Sequence, residues 1–182
     1  MTVLTDILKP TTLKIVVMGV SGCGKSAIAA ELAKRLGVEY VDGDHYHAES
    51  SIEKMSRGIP LTDEDRLAWL QTLNGVIQKK DGLVLACSAL TPMYRSLLKE
   101  GNQQVTFIYL HGSIELIWSR MRERVNHYFA GRKLLESQFD TLIEPNADEA
   151  IAISIDQPIE RIVESALAAL SGSASAKRGE TL

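Results

Sequence analysis

The sequence contains few of the features that would indicate a secreted, membrane-spanning or nucleic-acid-binding protein. Its 182 residues include only two cysteines, Cys23 and Cys87, which excludes a disulfide framework and suits a reducing compartment. No apolar run approaches the roughly 20 residues needed to span a bilayer, so no membrane partner is expected. Acidic residues outnumber basic ones, and the net charge of −3 argues against a general nucleic-acid-binding surface.

The start of the sequence also lacks the basic segment and small-residue cleavage site of a signal peptide, so we expect a cytoplasmic location. The length is typical of one domain and sufficient to bury a core without disulfides. No internal repeat or linker is evident. We predict an N-terminal arm over residues 1–12, one domain over residues 13–170, and a small, polar, disordered tail over residues 171–182.

Short apolar runs alternate with longer helical patterns along the body of the chain. The predicted strands are Leu13–Met18, Val38–Val41, Leu83–Cys87, Val105–Leu110 and Ile151–Ile155. Most are apolar on both faces, as in a parallel sheet covered by helices on both sides. The alternation predicts an α/β fold with a doubly wound parallel sheet of about five strands. In such sheets ligands bind beyond the carboxyl ends of the strands.

Capping residues mark the starts of several predicted helices. Thr62 followed by Asp65 resembles a capping box, in which each side chain accepts from the other residue's backbone N–H. Thr91 precedes a proline, which favours the first position of a helix. Ser113 is expected to cap a helix over Ile114–Arg124.

Directly after the first predicted strand, the sequence matches the phosphate-binding pattern G-x-x-x-x-G-K-[ST]. The predicted nucleotide-binding residues of this loop are Gly19, Val20, Ser21, Gly22, Cys23, Gly24, Lys25 and Ser26. Its glycines let backbone N–H groups surround a polyphosphate, and the next helix points its positive end at the same place. Lys25 is predicted to reach the β- and γ-phosphates and Ser26 to bind Mg²⁺. A chance match is disfavoured by the strand before the loop and the helix after it.

Cys23 within this loop allows two interpretations. As a small residue, its side chain can point away from the phosphates, which is the interpretation we favour. Alternatively, nearby N–H dipoles and Lys25 lower its pKa and make it a reactive thiol. If the first and third strands are neighbours, Cys87 lies at the same edge of the sheet, and oxidation of the two thiols would inactivate the protein.

The second predicted strand ends in two carboxylates separated by one glycine. We assign Asp42 to Mg²⁺, through water, and Asp44 to a hydroxyl group as its proton acceptor. The alternative is an Asp-Gly turn with solvated acids, which the position at the ligand-binding edge disfavours. His45 and His47 also raise the possibility of zinc, but no third ligand with suitable spacing follows.

A long polar and apolar segment, residues 51–70, separates this turn from the next strand. An excursion of that length usually has a binding role, and Lys54, Arg57 and Arg66 are its candidate ligands for a small polar molecule. Each of them alone is more often a solvated surface charge. After the third strand, Ser88 stands where many P-loop proteins have an acid, so Asp42 is the expected substitute.

Arginines follow the fourth predicted strand on one helix. Arg120 and Arg124 are four residues apart and share a face. We predict that they contact the phosphates of ATP and neutralise negative charge as its γ-phosphoryl group is transferred. The segment after Arg124 has the composition of a loop and is expected to form a lid. Arg122 is expected on the solvated face.

Together these motifs resemble the gluconate kinases, small P-loop enzymes related to shikimate and nucleoside monophosphate kinases. The resemblance covers about residues 14–168. It rests on Gly19–Ser26, Asp42-Gly-Asp44 with His47, Ser51–Met55, Gly58–Arg66 with Trp69 and Leu70, Cys87–Leu90 with Tyr94 and Arg95, and Leu135–Leu142 with Glu144 and Pro145.

The resemblance implies a P-loop kinase fold with a helical substrate-binding excursion and a lid. It also implies transfer of a phosphoryl group from ATP, with Mg²⁺, to the 6-hydroxyl of D-gluconate, and a homodimer. For this reaction we predict Lys25, Asp44 and Arg124 as the catalytic residues. The predicted substrate-binding residues are Asp44, His47, Lys54, Arg66 and Arg95, of which Arg66 and Arg95 are expected to hold the carboxylate because a guanidinium matches it bidentately.

Two other functions fit part of these observations. A kinase for shikimate or a nucleotide would share the loop and the paired aspartates, although residues 60–66 and 137–139 do not suit it. A regulatory nucleotide-binding module would retain the loop without needing Asp44.

Overall fold

The computed structural model describes residues 12–123 and 128–179 of the protein. Strands and helices alternate along the chain. The strands are β1 (Lys14–Met18), β2 (Glu39–Asp42), β3 (Leu83–Ala86), β4 (Thr106–His111) and β5 (Ala150–Ser154). The helices are α1 (Lys25–Leu36), α2 (Glu49–Ser56), α3 (Asp63–Lys79), α4 (Pro92–Lys99), α5 (Ile114–Arg122), α6 (Tyr128–Thr141) and α7 (Ile159–Gly179).

The strands form one parallel sheet in the order β2-β3-β1-β4-β5. The predicted α/β fold and the number of strands are therefore confirmed. β1 lies between β3 and β4, so the loop that follows β1 is at the centre of the carboxyl edge. Since every strand points the same way, the residues that follow β2 and β3 reach this edge beside that loop.

Helices cover both faces of the sheet and bury two hydrophobic clusters. On one face, Leu32 of α1 and Val163 of α7 are fully buried. On the other face, Leu73 of α3 and Leu98 of α4 are equally inaccessible. The double coverage explains why most strand sequences are apolar on both faces. No helix within residues 12–123 and 128–179 is long and apolar enough to cross a membrane.

The predicted strands agree with the observed ones to within one residue at each end, whereas two predicted helix boundaries differ by more. Helix α5 ends at Arg122 instead of Arg124, and Arg124 lies outside the described residues. Helix α7 continues through Gly179, so the segment from Ser171 to Gly179, which we predicted as disordered tail, is helical. Small residues such as alanine and serine carry no apolar periodicity, but alanine has a high helix propensity and prolongs a helix that packing has already nucleated.

The excursion between β2 and β3 consists of α2 and α3, which polar contacts connect. The predicted capping box is confirmed: Asp65 N–H donates to Thr62 Oγ1 at 3.2 Å, and Thr62 N–H donates to Asp65 Oδ2 at 3.0 Å. Lys54 of α2 donates to both oxygens of Asp65, at 3.0 and 2.7 Å. Trp69 Nε1 donates to the carbonyl of Gly43 at 2.8 Å and joins α3 to the turn after β2.

Two glycines provide a matched test of this packing. At Gly43 an added Cβ would lie 2.6 Å from the Ala86 carbonyl oxygen, whereas at Gly75, inside α3, it would meet nothing within 4 Å. We expect Gly43→Ala to lower the free energy of unfolding by about 1–3 kcal/mol. Gly75→Ala should raise it by about 0.5–1 kcal/mol, because alanine has the higher helix propensity. Urea denaturation measures both changes, and an unaffected Gly43→Ala protein would contradict the close packing.

The Lys54–Asp65 pair should make stability depend on pH. Hydrogen bonds from Lys54, and then from Thr62 N–H, lower the pKa of Asp65 to about 2. A depressed carboxylate pKa stabilises the fold above the unfolded value of about 3.9, and this stabilisation is lost as pH falls towards 2. Lys54→Met should therefore lower the unfolding free energy near neutral pH, and its difference from the unchanged protein should shrink below about pH 4. Lys34→Met, at an exposed position on α1, is the control and should show no such pH dependence.

Candidate active site

The loop after β1 is shaped by glycines with backbone angles that other residues rarely adopt. Gly22 has φ of 80° and Gly24 has φ of 98°, and Gly24 is the N-cap of α1. Gly22 also leaves no room for a side chain, because a Cβ there would overlap Met121 of α5. This geometry turns the loop into the N-terminus of α1, whose first N–H groups have no carbonyl of their own helix to bind and are available to an anion.

Lys25 extends back over the loop that precedes it. Its Nζ donates to the Val20 carbonyl oxygen at 3.0 Å. The side chain therefore returns its positive charge to the start of the loop, and the free N–H groups of the first turn of α1 stand at the end of the same loop. Together they form a cationic cradle for the terminal phosphates of a nucleotide.

Ser26 and Asp42, the two residues that we predicted to hold Mg²⁺, meet beside this cradle. Ser26 Oγ donates to Asp42 Oδ2 at 3.3 Å, and the hydroxyl of Tyr40 donates to the same oxygen at 3.1 Å. Hydroxyl and carboxylate oxygens are hard ligands that suit Mg²⁺. The part of the chain that the structure describes contains no cluster of three or more His, Cys, Asp or Glu side chains that would hold a metal ion.

The turn after β2 holds Asp44 next to this pair. Asp44 N–H donates to Asp42 Oδ1 at 3.0 Å, so one carboxylate organises both the hydroxyl of Ser26 and the turn. The side chain of Asp44 is 81% exposed. An exposed carboxylate at the edge of a phosphate cradle is placed to accept a proton from a bound hydroxyl group.

His47 lies behind Asp44. Its ring stacks on Trp69 with a centroid distance of 4.3 Å, and only 6% of its side chain is exposed. Burial lowers the pKa of His47, and the nearby charge of Asp44 acts in the opposite direction. Its Nε2 is 3.9 Å from Asp44 Oδ1, and its buried Nδ1 has no hydrogen-bond partner among the described residues. A neutral imidazole at neutral pH follows from the lowered pKa.

Arg66 is the predicted carboxylate ligand with a partly exposed guanidinium. Its Nη1 donates to the Tyr94 hydroxyl at 3.3 Å, and that hydroxyl donates to Asp63 Oδ1 at 3.1 Å. Arg66 Nη1 is also 3.8 Å from the same Asp63 oxygen. The contacts use Nη1, so the edge formed by Nε and Nη2 is the one that can receive a carboxylate bidentately.

Arg95, the other predicted carboxylate ligand, is committed to the protein. Only 3% of it is exposed. Its Nε and Nη2 donate to Glu149 at 3.1 and 3.4 Å, and its Nη1 donates to the carbonyls of Ala89 and Ile143, both at 3.1 Å. All three nitrogens therefore have internal partners. Arg95 fastens the loop after β3 to the segment before β5 and does not face the cleft with a free edge.

Lys54, which we predicted to bind substrate, is also committed to the protein, since both oxygens of Asp65 accept hydrogen bonds from its Nζ. Arg120 reaches the other end of the site: its Nη2 donates to the carbonyl of Ile155 at 2.9 Å, directly after β5. Arg124, the predicted partner of Arg120, lies outside the described residues.

The two cysteines lie near the loop, but neither has the properties of a reactive thiol. β1 and β3 are neighbours, which places both at the same edge of the sheet. Burial raises the pKa of Cys23, and this effect outweighs the nearby charge of Lys25. Burial likewise raises the pKa of Cys87 to about 12. Since the thiolate is the nucleophile, the interpretation of Cys23 as a small, inert residue is the one that fits.

One contact of the loop was missed by sequence reasoning. Ser21 N–H donates to Gln138 Oε1 at 2.6 Å, although 117 residues separate them. Gln138 belongs to the block 135–142 that carries the resemblance described above, but nothing in that block indicates a partner in the loop. Tyr40 is the second residue whose contact was not predicted. Its hydroxyl donates to Asp42, and this contact depends on the conformation of the Tyr40 side chain, which the sequence does not show.

Comparison with known proteins finds relatives that match most of the chain. The thermoresistant gluconokinase of Escherichia coli (strain K12) is 46% identical over 158 residues, covering 84% of this chain and 90% of that protein. The thermosensitive gluconokinase of the same strain is 39% identical over 182 residues, covering 91% of this chain and 97% of that protein.

Solved structures and family models agree with these relatives. The crystal structure of a gluconokinase from Sinorhizobium meliloti 1021 superposes with a TM-score of 0.88 at 37% identity, covering 94% of this chain and 99% of that one. The model of the shikimate kinase family matches residues 21–170. The matched range contains Lys25, Ser26, Asp42 and Asp44. The chain therefore belongs to the shikimate kinase family and, within it, to the gluconokinases.

Proposed function

We propose that this protein is a gluconokinase that transfers the γ-phosphoryl group of ATP to the 6-hydroxyl of D-gluconate and forms 6-phospho-D-gluconate. One observation supports this most directly. At the carboxyl edge of the sheet, Asp42 joins the hydroxyl of Ser26 on the nucleotide side to the backbone of Asp44 on the acceptor side. A phosphoryl donor and a hydroxyl acceptor bound on the two sides meet at this carboxylate.

On the nucleotide side, the N–H groups at the start of α1 and the amine of Lys25 bind the β- and γ-phosphates. Ser26 and Asp42 are the residues that would hold Mg²⁺, the first directly and the second through water. Bound there, the ion supplies neutralisation of the charge on the phosphate oxygens. Arg120 of α5 adds to this neutralisation, and Arg124 is predicted to act with it.

On the acceptor side, Asp44 accepts the proton of the attacking hydroxyl as the bond to phosphorus forms. Its exposure leaves it accessible to a sugar, and the nearby ring of His47 restricts the directions that it can take. Arg66 binds the carboxylate of gluconate through Nε and Nη2, because Tyr94 already engages Nη1. Arg95 supports this side of the site from within the protein. The homodimer implied by the resemblance stays a prediction.

The choice of acceptor is tested by an assay that couples ADP release to a spectroscopic signal. We expect turnover with ATP and D-gluconate, and none above the acceptor-free rate with shikimate or nucleoside monophosphates. Asp44→Asn should lower kcat by at least about 10²-fold, since general-base catalysis contributes 10²–10⁴, while the affinity for ATP stays nearly unchanged. Asp148→Asn, at an exposed position before β5, is the matched control. A loss of ATP binding in Asp44→Asn would show that Asp44 serves the nucleotide instead.

The role of Arg66 is tested by comparing an acid with its neutral analogue. D-Glucitol has a hydroxymethyl group where D-gluconate has its carboxylate. Arg66→Met should raise the KM for gluconate by about 10- to 100-fold, the effect of removing hydrogen bonds to a charged group, with kcat less affected. The preference for gluconate over glucitol should fall by a similar factor. Arg161→Met on α7 is the control. An unchanged preference would assign the carboxylate to another residue.

A further inference from the structure

The peptide unit between Val20 and Ser21 has a partner on each of its polar groups. Its carbonyl, from Val20, accepts a hydrogen bond from Lys25 Nζ at 3.0 Å. Its N–H, from Ser21, donates to Gln138 Oε1 at 2.6 Å. Because a trans peptide is planar, the carbonyl and the N–H point in opposite directions and turn together. The orientation that Gln138 imposes on the N–H is therefore also the orientation in which Lys25 meets the carbonyl.

The chemistry of Gln138 suits this contact. The donor is a backbone N–H, so the group that faces it must be the carboxamide oxygen and not the amide nitrogen. A glutamine oxygen accepts without adding a negative charge beside a cradle that binds phosphate. A glutamate in the same place would hold the N–H equally well but would repel the ligand.

Gln138 is held by a firmly packed segment. On α6, Leu135 is fully buried and Phe139 packs against the same cluster. After α6, Ile143 N–H donates to the carbonyl of Leu90 at 2.9 Å, and the carbonyl of Ile143 accepts from Arg95. The backbone on either side of Gln138 is thus attached to the core and to the loop after β3, and its side chain transmits that rigidity to the phosphate loop.

We propose that Gln138 is a positioning residue that fixes the Val20–Ser21 peptide and, through its carbonyl, the amine of Lys25. This inference rests on the proposed function, since it assigns Lys25 to the β- and γ-phosphates. It connects the block of sequence at residues 135–142 to the nucleotide side of the reaction. Without Gln138 the peptide can rotate, and the carbonyl no longer holds Lys25 over the loop.

A double-mutant cycle on ATP affinity tests the proposal. The dissociation constant for ATP is measured by titration calorimetry without acceptor for the unchanged protein, Gln138→Met, Lys25→Met and the double variant. Methionine keeps the length of glutamine but cannot accept the Ser21 hydrogen bond. We expect Gln138→Met alone to weaken ATP binding about tenfold, the size of one lost hydrogen bond. In the Lys25→Met background the same change should weaken ATP binding less than about twofold. A role confined to stability would not produce this coupling.

The control is Gln103→Met, the same change at an exposed turn before β4, which should leave ATP affinity within twofold. Gln138→Ala is a second variant, and melting temperatures of all variants establish that they fold. Additive effects of Gln138→Met and Lys25→Met, or a change below twofold in both Gln138 variants, would overturn the inference. If the unchanged protein does not bind ATP, the proposed function fails; if it binds ATP and the cycle is additive, only the role of Gln138 fails.

Discussion

The carboxylate of Asp42 is the point on which the rest of the site depends. One oxygen accepts from the hydroxyls of Ser26 and Tyr40, and the other accepts from the backbone of Asp44. A single side chain therefore holds the first turn of α1, the end of β2 and the turn that carries the acceptor-side carboxylate. The parallel pairing of β2 with β3, and of β3 with β1, brings these elements to the same edge.

The acceptor side is built outward from that turn. Trp69 of α3 donates to the carbonyl of Gly43 and stacks on His47, so the long helix of the excursion fixes both the turn and the ring behind Asp44. Arg66 lies in the first turn of the same helix, and its guanidinium donates to the hydroxyl of the buried Tyr94. Because Trp69 and Arg66 both belong to α3, this helix connects the turn after β2 to Tyr94 on α4.

The features that could be predicted from the sequence are those whose determinants are local. Gly22 and Gly24 lie within a few residues of Lys25, and their conformations follow from the loop pattern itself. The predicted substrate contact of Arg95 was wrong, because whether an arginine binds substrate or protein depends on what its guanidinium meets. The partner of Arg95 is Glu149, 54 residues further along the chain. The same limit applies to Gln138, whose contact with the loop spans 117 residues.

The sequence by itself determined the order of strands and helices, the phosphate loop and the pair of carboxylates after β2, since each is encoded by residues adjacent in the chain or by a short apolar period. Only the tertiary structure decided which charged side chains remain available to ligands. Burial and pairing between distant segments commit Arg95 and Lys54 to internal carboxylates and make the cysteines inert. The physical reason is that the residue type determines the charge and the hydrogen-bond donors of a side chain, whereas packing across the fold determines which partners they meet.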